Sequence, residues 1–137
     1  MIRAILFDLD GVLVDSAPVH HAAWAALFAP FGIDFSMARY RAEASGHSRG
    51  DVIRTILGDR PDHDALMARK AALVEAHLAE HGCPVIPGVH DLLHAVDTLA
   101  LPRAVATASR MPGPFLAATG LAHRFDVVVD RTQVARG

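Results

Sequence analysis

The sequence predicts an α/β fold in which a three-stranded parallel sheet with helices carries an inserted block of helices. Three apolar runs are too short and too β-branched to favour helix. They are residues 2–8, 103–107 and 125–129. Helix signals alternate with the later runs, which is typical of a doubly wound parallel sheet. Residues 15 to 81 contain only helix and loop signals. We therefore predict a discontinuous core, residues 1–14 and 84–137, and an inserted helical cap, residues 15–83.

Capping residues place the predicted helices. Ser16, Ser36 and Ser48 each precede a helix as N-caps, and glycine residues follow most of the helices. The predicted helices are residues 17–31, 37–44, 49–57, 62–80, 89–99 and 112–119. The first helix has one apolar stripe, made of Val19, Ala23, Leu27 and Phe31.

The composition describes a globular chain with a core. Hydrophobic residues make up 52% of the 137 residues and charged residues 20%, which excludes a disordered chain. The net charge is −2 and no basic stripe is present, so we expect no nucleic-acid partner. No apolar run is long enough to span a membrane, and we expect no membrane partner. Cys83 is the single cysteine, which excludes a disulfide framework and favours a cytoplasmic location.

The first predicted strand ends in two carboxylates and a glycine. Asp8 and Asp10 are two residues apart, so in an extended chain both side chains point the same way. Gly11 lets the backbone turn beside them. Paired carboxylates are costly to bury without a cation or a shared proton, and hard oxygen ligands suit Mg²⁺. Solvated acids at an ordinary Asp-Gly turn are the alternative. Because a second apolar run and Asp15-Ser16 follow, we favour a catalytic site.

A second polar segment follows the second predicted strand and precedes a helix. Its residues are Thr107, Ala108, Ser109 and Arg110. Hydroxyl and backbone N–H groups at such a junction form anion sites, and parallel sheets bind ligands at the carboxyl ends of their strands. The alternative is an ordinary N-cap at Ser109 beside a solvated arginine. Together with the two aspartates, the segment predicts a phosphate site.

Residues 4–16, Ala-Ile-Leu-Phe-Asp-Leu-Asp-Gly-Val-Leu-Val-Asp-Ser, resemble the hhhhDxDGxxxDS signature of the haloacid dehalogenase superfamily of phosphoryl-transfer enzymes. The resemblance implies a Rossmann-like core with a helical cap. It implies that Asp8 is the nucleophile, which forms an aspartyl-phosphate, and that Asp10 is the general acid/base. The Asp8 side chain and the Asp10 carbonyl would be two Mg²⁺ ligands. The Thr107 hydroxyl would hold the transferring phosphoryl group, assisted by the Ala108 N–H.

The cap and the second motif resemble the β-phosphoglucomutase branch of this superfamily. The matching segments are Val19-His20-His21-Ala22-Ala23-Trp24, Gly46-His47-Ser48-Arg49, Arg69-Lys70, residues 106–110 and Gly113-Pro114-Phe115-Leu116. The resemblance implies a small phosphorylated metabolite, such as a sugar phosphate, as substrate. Arg49 would contact its non-transferring phosphate, with Ser109 and Arg110 near the same group. His20 and Lys70 would couple cap closure to the acid/base. Trp24 as core filling and Lys70 as a solvated helix residue are the alternatives.

The superfamily's two later motifs have no match in this sequence. One is a lysine after the third strand, and the other is a set of acids after the fourth strand that completes the Mg²⁺ shell. No lysine follows Lys70. We therefore expect an incomplete, three-stranded core and a truncated chain. The alternative function is an inactive phosphate-binding or interaction module. Without a fourth strand, the first strand would expose an apolar edge through which the chain could self-associate.

His77 and His81 are four residues apart with Glu80 nearby, which is a possible metal pair. Because no third ligand is evident, the sequence favours surface residues.

Overall fold

A computed structural model describes residues 1–133 and divides the chain into two compact units. Unit 1 comprises Met1–Ser16 and Gly82–Gly137, and unit 2 comprises Ala17–His81. Residues 134–137, which belong to the predicted core, lie outside the described residues.

The elements alternate between strand and helix as predicted. In chain order they are β1 (Ile5–Phe7), α1 (Ala17–Phe28), α2 (Met37–Arg39), α3 (Arg49–Leu57), α4 (His63–His81), α5 (Val89–Thr98), β2 (Arg103–Ala106), α6 (Pro112–Ala118) and β3 (Val127–Val129). Short 3₁₀ turns occupy Ala29–Phe31 and Ala122–Arg124, and a π-helical turn, Tyr40–Ala44, continues α2. None of the helices within residues 1–133 combines the length and apolar character that crossing a membrane requires.

Unit 1 contains a parallel sheet in the order β1-β2-β3. The α/β class and its three parallel strands are therefore confirmed. Side chains alternate across the sheet, and one face is buried. Phe7 and Val105 pair in register on that face and are 6% and 0% exposed. Leu6 and Val127 lie on the other face and are 73% and 54% exposed.

The two chain segments that join unit 1 to unit 2 are hydrogen-bonded to each other. Val14 and Val85 form an antiparallel bridge. The Asp15 N–H donates to the Pro84 carbonyl at 2.8 Å, and the Ile86 N–H donates to the Leu13 carbonyl at 3.0 Å. These bonds pair residues 13–15 with residues 84–86 in a short antiparallel ribbon.

An apolar cluster forms the core of unit 2, with side chains from α1, α3, α4 and the segment between α1 and α3. Its buried members are Trp24, Leu27, Phe28, Phe35, Tyr40, Ala44, Val52, Ile53 and Leu66. Trp24 stacks on Phe28 with ring centroids 5.3 Å apart, and Phe28 contacts Phe35 at 5.0 Å. Burial of such rings is the main stabilising contribution to this unit.

The first helix ends earlier than the sequence predicts. α1 stops at Phe28, and a 3₁₀ turn with Pro30 near its start follows. Proline removes a backbone donor and clashes with the preceding turn, so the α-helix cannot continue through it. Phe31 is therefore 37% exposed, and its predicted place on the buried stripe is wrong. The other three stripe residues, Val19, Ala23 and Leu27, are buried.

Candidate active site

The two aspartates lie where β1 ends, and local hydrogen bonds orient each of them. The Asp8 Oδ1 accepts a hydrogen bond from the Leu9 N–H at 2.7 Å. The chain then turns at Gly11, whose φ of +74° favours glycine, and its N–H donates to the Val14 carbonyl at 2.9 Å. Leu9 is fully buried between the two acids. The buried Leu9 side chain thus points inward while its neighbours Asp8 and Asp10 remain outside the core.

Ser16 fixes the second aspartate. The buried Ser16 hydroxyl donates to the Asp10 Oδ1 at 2.5 Å. Burial raises the pKa of Asp10, the Ser16 hydrogen bond opposes this effect, and the Asp8 charge adds to it. A carboxyl group whose pKa is raised retains its proton more readily, which suits a general acid.

The loop after β2 lies at the same edge of the sheet. β1 and β2 are adjacent and parallel, so Asp8 and Thr107 both follow the carboxyl ends of neighbouring strands. The Thr107 Oγ1 accepts from the Ser109 N–H at 3.1 Å, and the Ser109 Oγ accepts from the Met111 N–H at 3.1 Å. The Ser109 carbonyl accepts from the Arg131 N–H at 3.2 Å. These bonds hold the loop in one conformation and leave the Thr107 hydroxyl proton to donate.

The remaining two residues of this loop are exposed. Ala108 and Arg110 both lie at the surface of unit 1. Unit 1 thus brings Asp8, Asp10 and Thr107 to one sheet edge, with Ala108 and Arg110 on the Thr107 loop.

The predicted site residues of unit 2 form a second group around Lys70. This lysine lies on α4 and is only 2% exposed, so the alternative of a solvated helix residue is wrong. Its Nζ lies 4.7 Å from the centroid of the Trp24 ring, a cation–π distance. Arg49 begins α3 and donates through Nη1 to the Met67 carbonyl at 3.2 Å. Gly46 adopts a φ of +78° in the turn before α3.

Each positive charge in this group disfavours protonation of the neighbouring bases. Burial, and then the Arg49 charge, lowers the pKa of Lys70 to about 7. Burial, and then Lys70 and Arg49, lowers the pKa of His20 to about 3. Like charges and desolvation both lower the pKa values of Lys70 and His20. A bound anion would offset both effects, so the group can serve as an anion site.

Two functional features escaped the sequence reasoning. The sequence predicts Ser16 as an N-cap and as part of the DxDGxxxDS pattern, but it does not predict the hydrogen bond by which Ser16 holds Asp10. The burial of Lys70 has a local signal in its i, i+4 spacing from the buried Leu66 and Val74 on α4. The ring that it contacts, Trp24, lies 46 positions earlier in the chain.

The carboxylates of Asp8 and Asp10 are hard oxygen donors and fit Mg²⁺ in kind. Within residues 1–133, no group of three or more His, Cys, Asp or Glu side chains is arranged to hold a metal ion. The two aspartates would therefore provide only part of a coordination shell.

Comparison with known proteins identifies the family. The model of the haloacid dehalogenase-like hydrolases matches residues 2–137. The chain is 33% identical to a β-phosphoglucomutase of Mycobacterium bovis over 147 aligned residues, covering 88% of this chain and 56% of that protein. It is 30% identical to a phosphoglycolate phosphatase of Rhodobacter capsulatus, covering 94% of this chain and 62% of that protein. The crystal structure of CbbY from Rhodobacter sphaeroides with xylulose-(1,5)bisphosphate superposes with a TM-score of 0.81 at 26% identity, covering 99% and 66% of the two chains. The chain thus spans less than two thirds of each relative.

Proposed function

Because the chain belongs to the haloacid dehalogenase-like hydrolase family, we propose that it carries the nucleophile and the acid/base of a Mg²⁺-dependent phosphoryl transfer. The observation that carries this proposal is the pair of interacting carboxylates, Asp8 and Asp10, at the carboxyl end of β1 beside the Thr107 loop. Parallel sheets bind their ligands at this edge. The core (residues 1–14 and 84–137) would perform the chemistry, and the cap (residues 15–83) would contribute to substrate recognition.

In the first half of the reaction, an Asp8 carboxylate oxygen attacks phosphorus in line. The bond from phosphorus to the substrate oxygen breaks, and Asp10 gives its proton to that leaving oxygen. Thr107 and the Ala108 N–H hold the phosphoryl oxygens. In the second half, Asp10 takes a proton from water or from a sugar hydroxyl, the oxygen of that group bonds to phosphorus, and the bond between Asp8 and phosphorus breaks. Mg²⁺, held by the Asp8 side chain and the Asp10 carbonyl, would neutralise charge on the phosphoryl oxygens.

The substrate we propose is a phosphorylated sugar or a similar small metabolite. The group around Lys70 supports this proposal, because His20, Lys70 and Arg49 are bases whose mutual repulsion an anionic substrate group would relieve. Gly46 gives the turn that presents Arg49 at the start of α3. We assign Ser109 and Arg110 to the non-transferring phosphate. Water as the second acceptor would make the protein a phosphatase, and a sugar hydroxyl would make it a phosphomutase.

A binding experiment tests the nucleophile. Calorimetry with Mg²⁺ and fluoroberyllate, which mimics a phosphoryl group on a carboxylate, should detect tight binding that Asp8→Asn abolishes. The exposed Asp91 on α5 supplies a matched control, because Asp91→Asn makes the same chemical change at a carboxylate to which the proposal gives no role. Equal binding by the wild type and Asp8→Asn would refute the assignment.

Turnover separates the candidate reactions. The chain is supplied with β-glucose 1-phosphate, with and without a sugar bisphosphate primer, and free phosphate and glucose 6-phosphate are measured. Phosphate release identifies a phosphatase, and primer-dependent glucose 6-phosphate identifies a mutase. Either activity should be lost in Asp8→Asn and retained in Asp91→Asn.

An inactive phosphate-binding module is the second candidate. Without a cation beside the phosphoryl oxygens, turnover by the chain would be slower by orders of magnitude. Fluoroberyllate binding without any turnover would support this candidate.

We also propose that the chain self-associates through β1 and that it works in the cytoplasm. Among the described strands β1 pairs only with β2, so its other edge is open, and Ile2 and Leu6 are exposed beside it. Sedimentation equilibrium should show concentration-dependent association that Leu6→Lys weakens. A monomer at all concentrations would contradict the association.

A further inference from the structure

The last turn of α4 places two imidazole rings in contact. His77 and His81 are four residues apart, a spacing that puts side chains on the same face of a helix. Their ring centroids lie 4.6 Å apart at an interplanar angle of 56°. Neither residue belongs to the apolar cluster of unit 2 or to the group around Lys70. Their contact therefore has no part in the proposed phosphoryl transfer.

The charges around the two rings favour a bound cation. A neutral imidazole is the form that binds metal ions. The Glu80 Oε2 lies 3.7 Å from the His81 Nε2, which adds negative charge beside the rings. The carboxyl end of α4 also carries partial negative charge from the backbone carbonyls.

We propose that His77 and His81 form a bidentate site for a divalent transition-metal ion of the class that prefers imidazole nitrogen, such as Zn²⁺ or Ni²⁺. Two imidazoles on one helical turn would act as a chelate, with water or an external ligand in the other positions. The absence of a three-residue cluster within residues 1–133 is consistent with such an open site. The ion would bridge the last turn of α4, where the chain leaves unit 2.

A second pair of histidines in the chain controls for the effect of sequence spacing alone. His90 and His94 are also four residues apart, on α5, and both are exposed. No ring contact joins them in the described residues. If spacing alone were sufficient, both pairs would bind metal equally well.

Zn²⁺ binding to the untagged chain tests the proposal. Competition with a chromogenic chelator, in excess Mg²⁺ to occupy the carboxylates of unit 1, should reveal one tight equivalent. Because a second tethered ligand raises affinity by roughly 10²-fold, His77→Ala and His81→Ala should each weaken binding by about that factor. His90→Ala and His94→Ala should leave it unchanged.

Three outcomes of the binding experiment would overturn the proposal. They are binding that survives His77→Ala, binding that His90→Ala weakens as much, and binding no tighter than that of a single imidazole. NMR gives an independent readout, since one equivalent of Zn²⁺ should shift the ring signals of His77 and His81 together. Zn²⁺-induced shifts confined to His90 and His94 would refute it as well. Asp8→Asn should not alter this binding, so the failure of this site and the failure of the phosphoryl-transfer proposal are distinguishable.

Discussion

Replacing Lys70 with methionine should stabilise unit 2. The lysine is 2% exposed, and burial with the Arg49 charge lowers its pKa to about 7 from an ordinary value of 10.5. The folded state therefore binds this proton more weakly than the unfolded state does. At pH 7 this difference costs the fold about 4 kcal/mol. Methionine has a similar length and no charge, so Lys70→Met removes that cost.

The loss of the contact with Trp24 offsets part of the gain. A desolvated cation–π contact contributes about 2 kcal/mol or more. The net stabilisation at pH 7 should therefore be at most about 2 kcal/mol. The sign of the pH dependence is fixed by the lowered pKa. Between pH 7 and 10.5 the unfolded state holds the Lys70 proton and the folded state does not, so the wild type gains stability as the pH rises. The advantage of the variant should shrink by about 2 kcal/mol between pH 7 and pH 9.

Urea unfolding followed by tryptophan fluorescence measures both effects. Trp24 is the single tryptophan and lies in unit 2 beside Lys70, so its signal reports the unit concerned. The thiol of Cys83, whose pKa burial raises to about 11, titrates equally in both proteins and cancels from the difference. Arg69→Met, at the exposed neighbouring position, is the control. Its free energy of unfolding should differ from that of the wild type by the same amount at every pH. A Lys70→Met protein less stable than the wild type at pH 7, or a gap that does not change with pH, would refute the reasoning.

Two further substitutions test the turn that follows β1. Ser16→Ala removes the buried hydrogen bond to Asp10 and should lower the free energy of unfolding by about 1.5–3 kcal/mol. The control, Ser36→Ala at an exposed helix cap, should lower it by about 1 kcal/mol. Equal losses in urea titrations would argue against a buried bond to a charged group. Gly11→Ala places a side chain at a φ of +74°, where no atom lies within 4 Å of the new Cβ, so the cost is the backbone penalty of about 1–2 kcal/mol. Gly113→Ala, at an ordinary φ inside α6, should show no such loss of thermal stability, and similar melting temperatures for the two alanine variants would contradict the strain argument.

Much of the fold follows from local signals in the sequence. The three strands and the helices between them were predictable from short β-branched runs and from caps. The caps at Ser36 and Ser48 are confirmed, since their hydroxyls accept from the Arg39 and Asp51 N–H groups. The strands are shorter than predicted because a strand needs a partner. β2 begins just after Pro102, whose carbonyl accepts from the Ile5 N–H, so the first residues of the chain extend beyond the ladder.

The candidate site was predictable in one unit and only partly in the other. The paired aspartates and the Thr107 loop follow strand ends, and adjacency of parallel strands brings strand ends together. The group around Lys70 depends on how α1, α3 and α4 pack. Helical spacing places Lys70 on the same stripe as the buried Leu66, Val74 and Leu78, although a lysine is usually solvated. Its neighbours on α1 and α3 depend on packing that no local pattern indicates. The exposure of Phe31, in turn, follows from Pro30, because the proline ends the α-helix before the apolar stripe reaches Phe31.

Because residues 13–15 pair with residues 84–86 in the ribbon, the chain leaves unit 1 for unit 2 and returns to it at neighbouring points. The entry and exit of unit 2 are already joined by backbone hydrogen bonds, so unit 1 bears little entropic cost for the length of what lies between them. Domain insertions are tolerated where chain ends lie side by side in this way. A short β-turn grafted in place of Ala17–His81 should therefore leave the sheet of unit 1 in register, and helical segments of other sizes should be accommodated at the same junction.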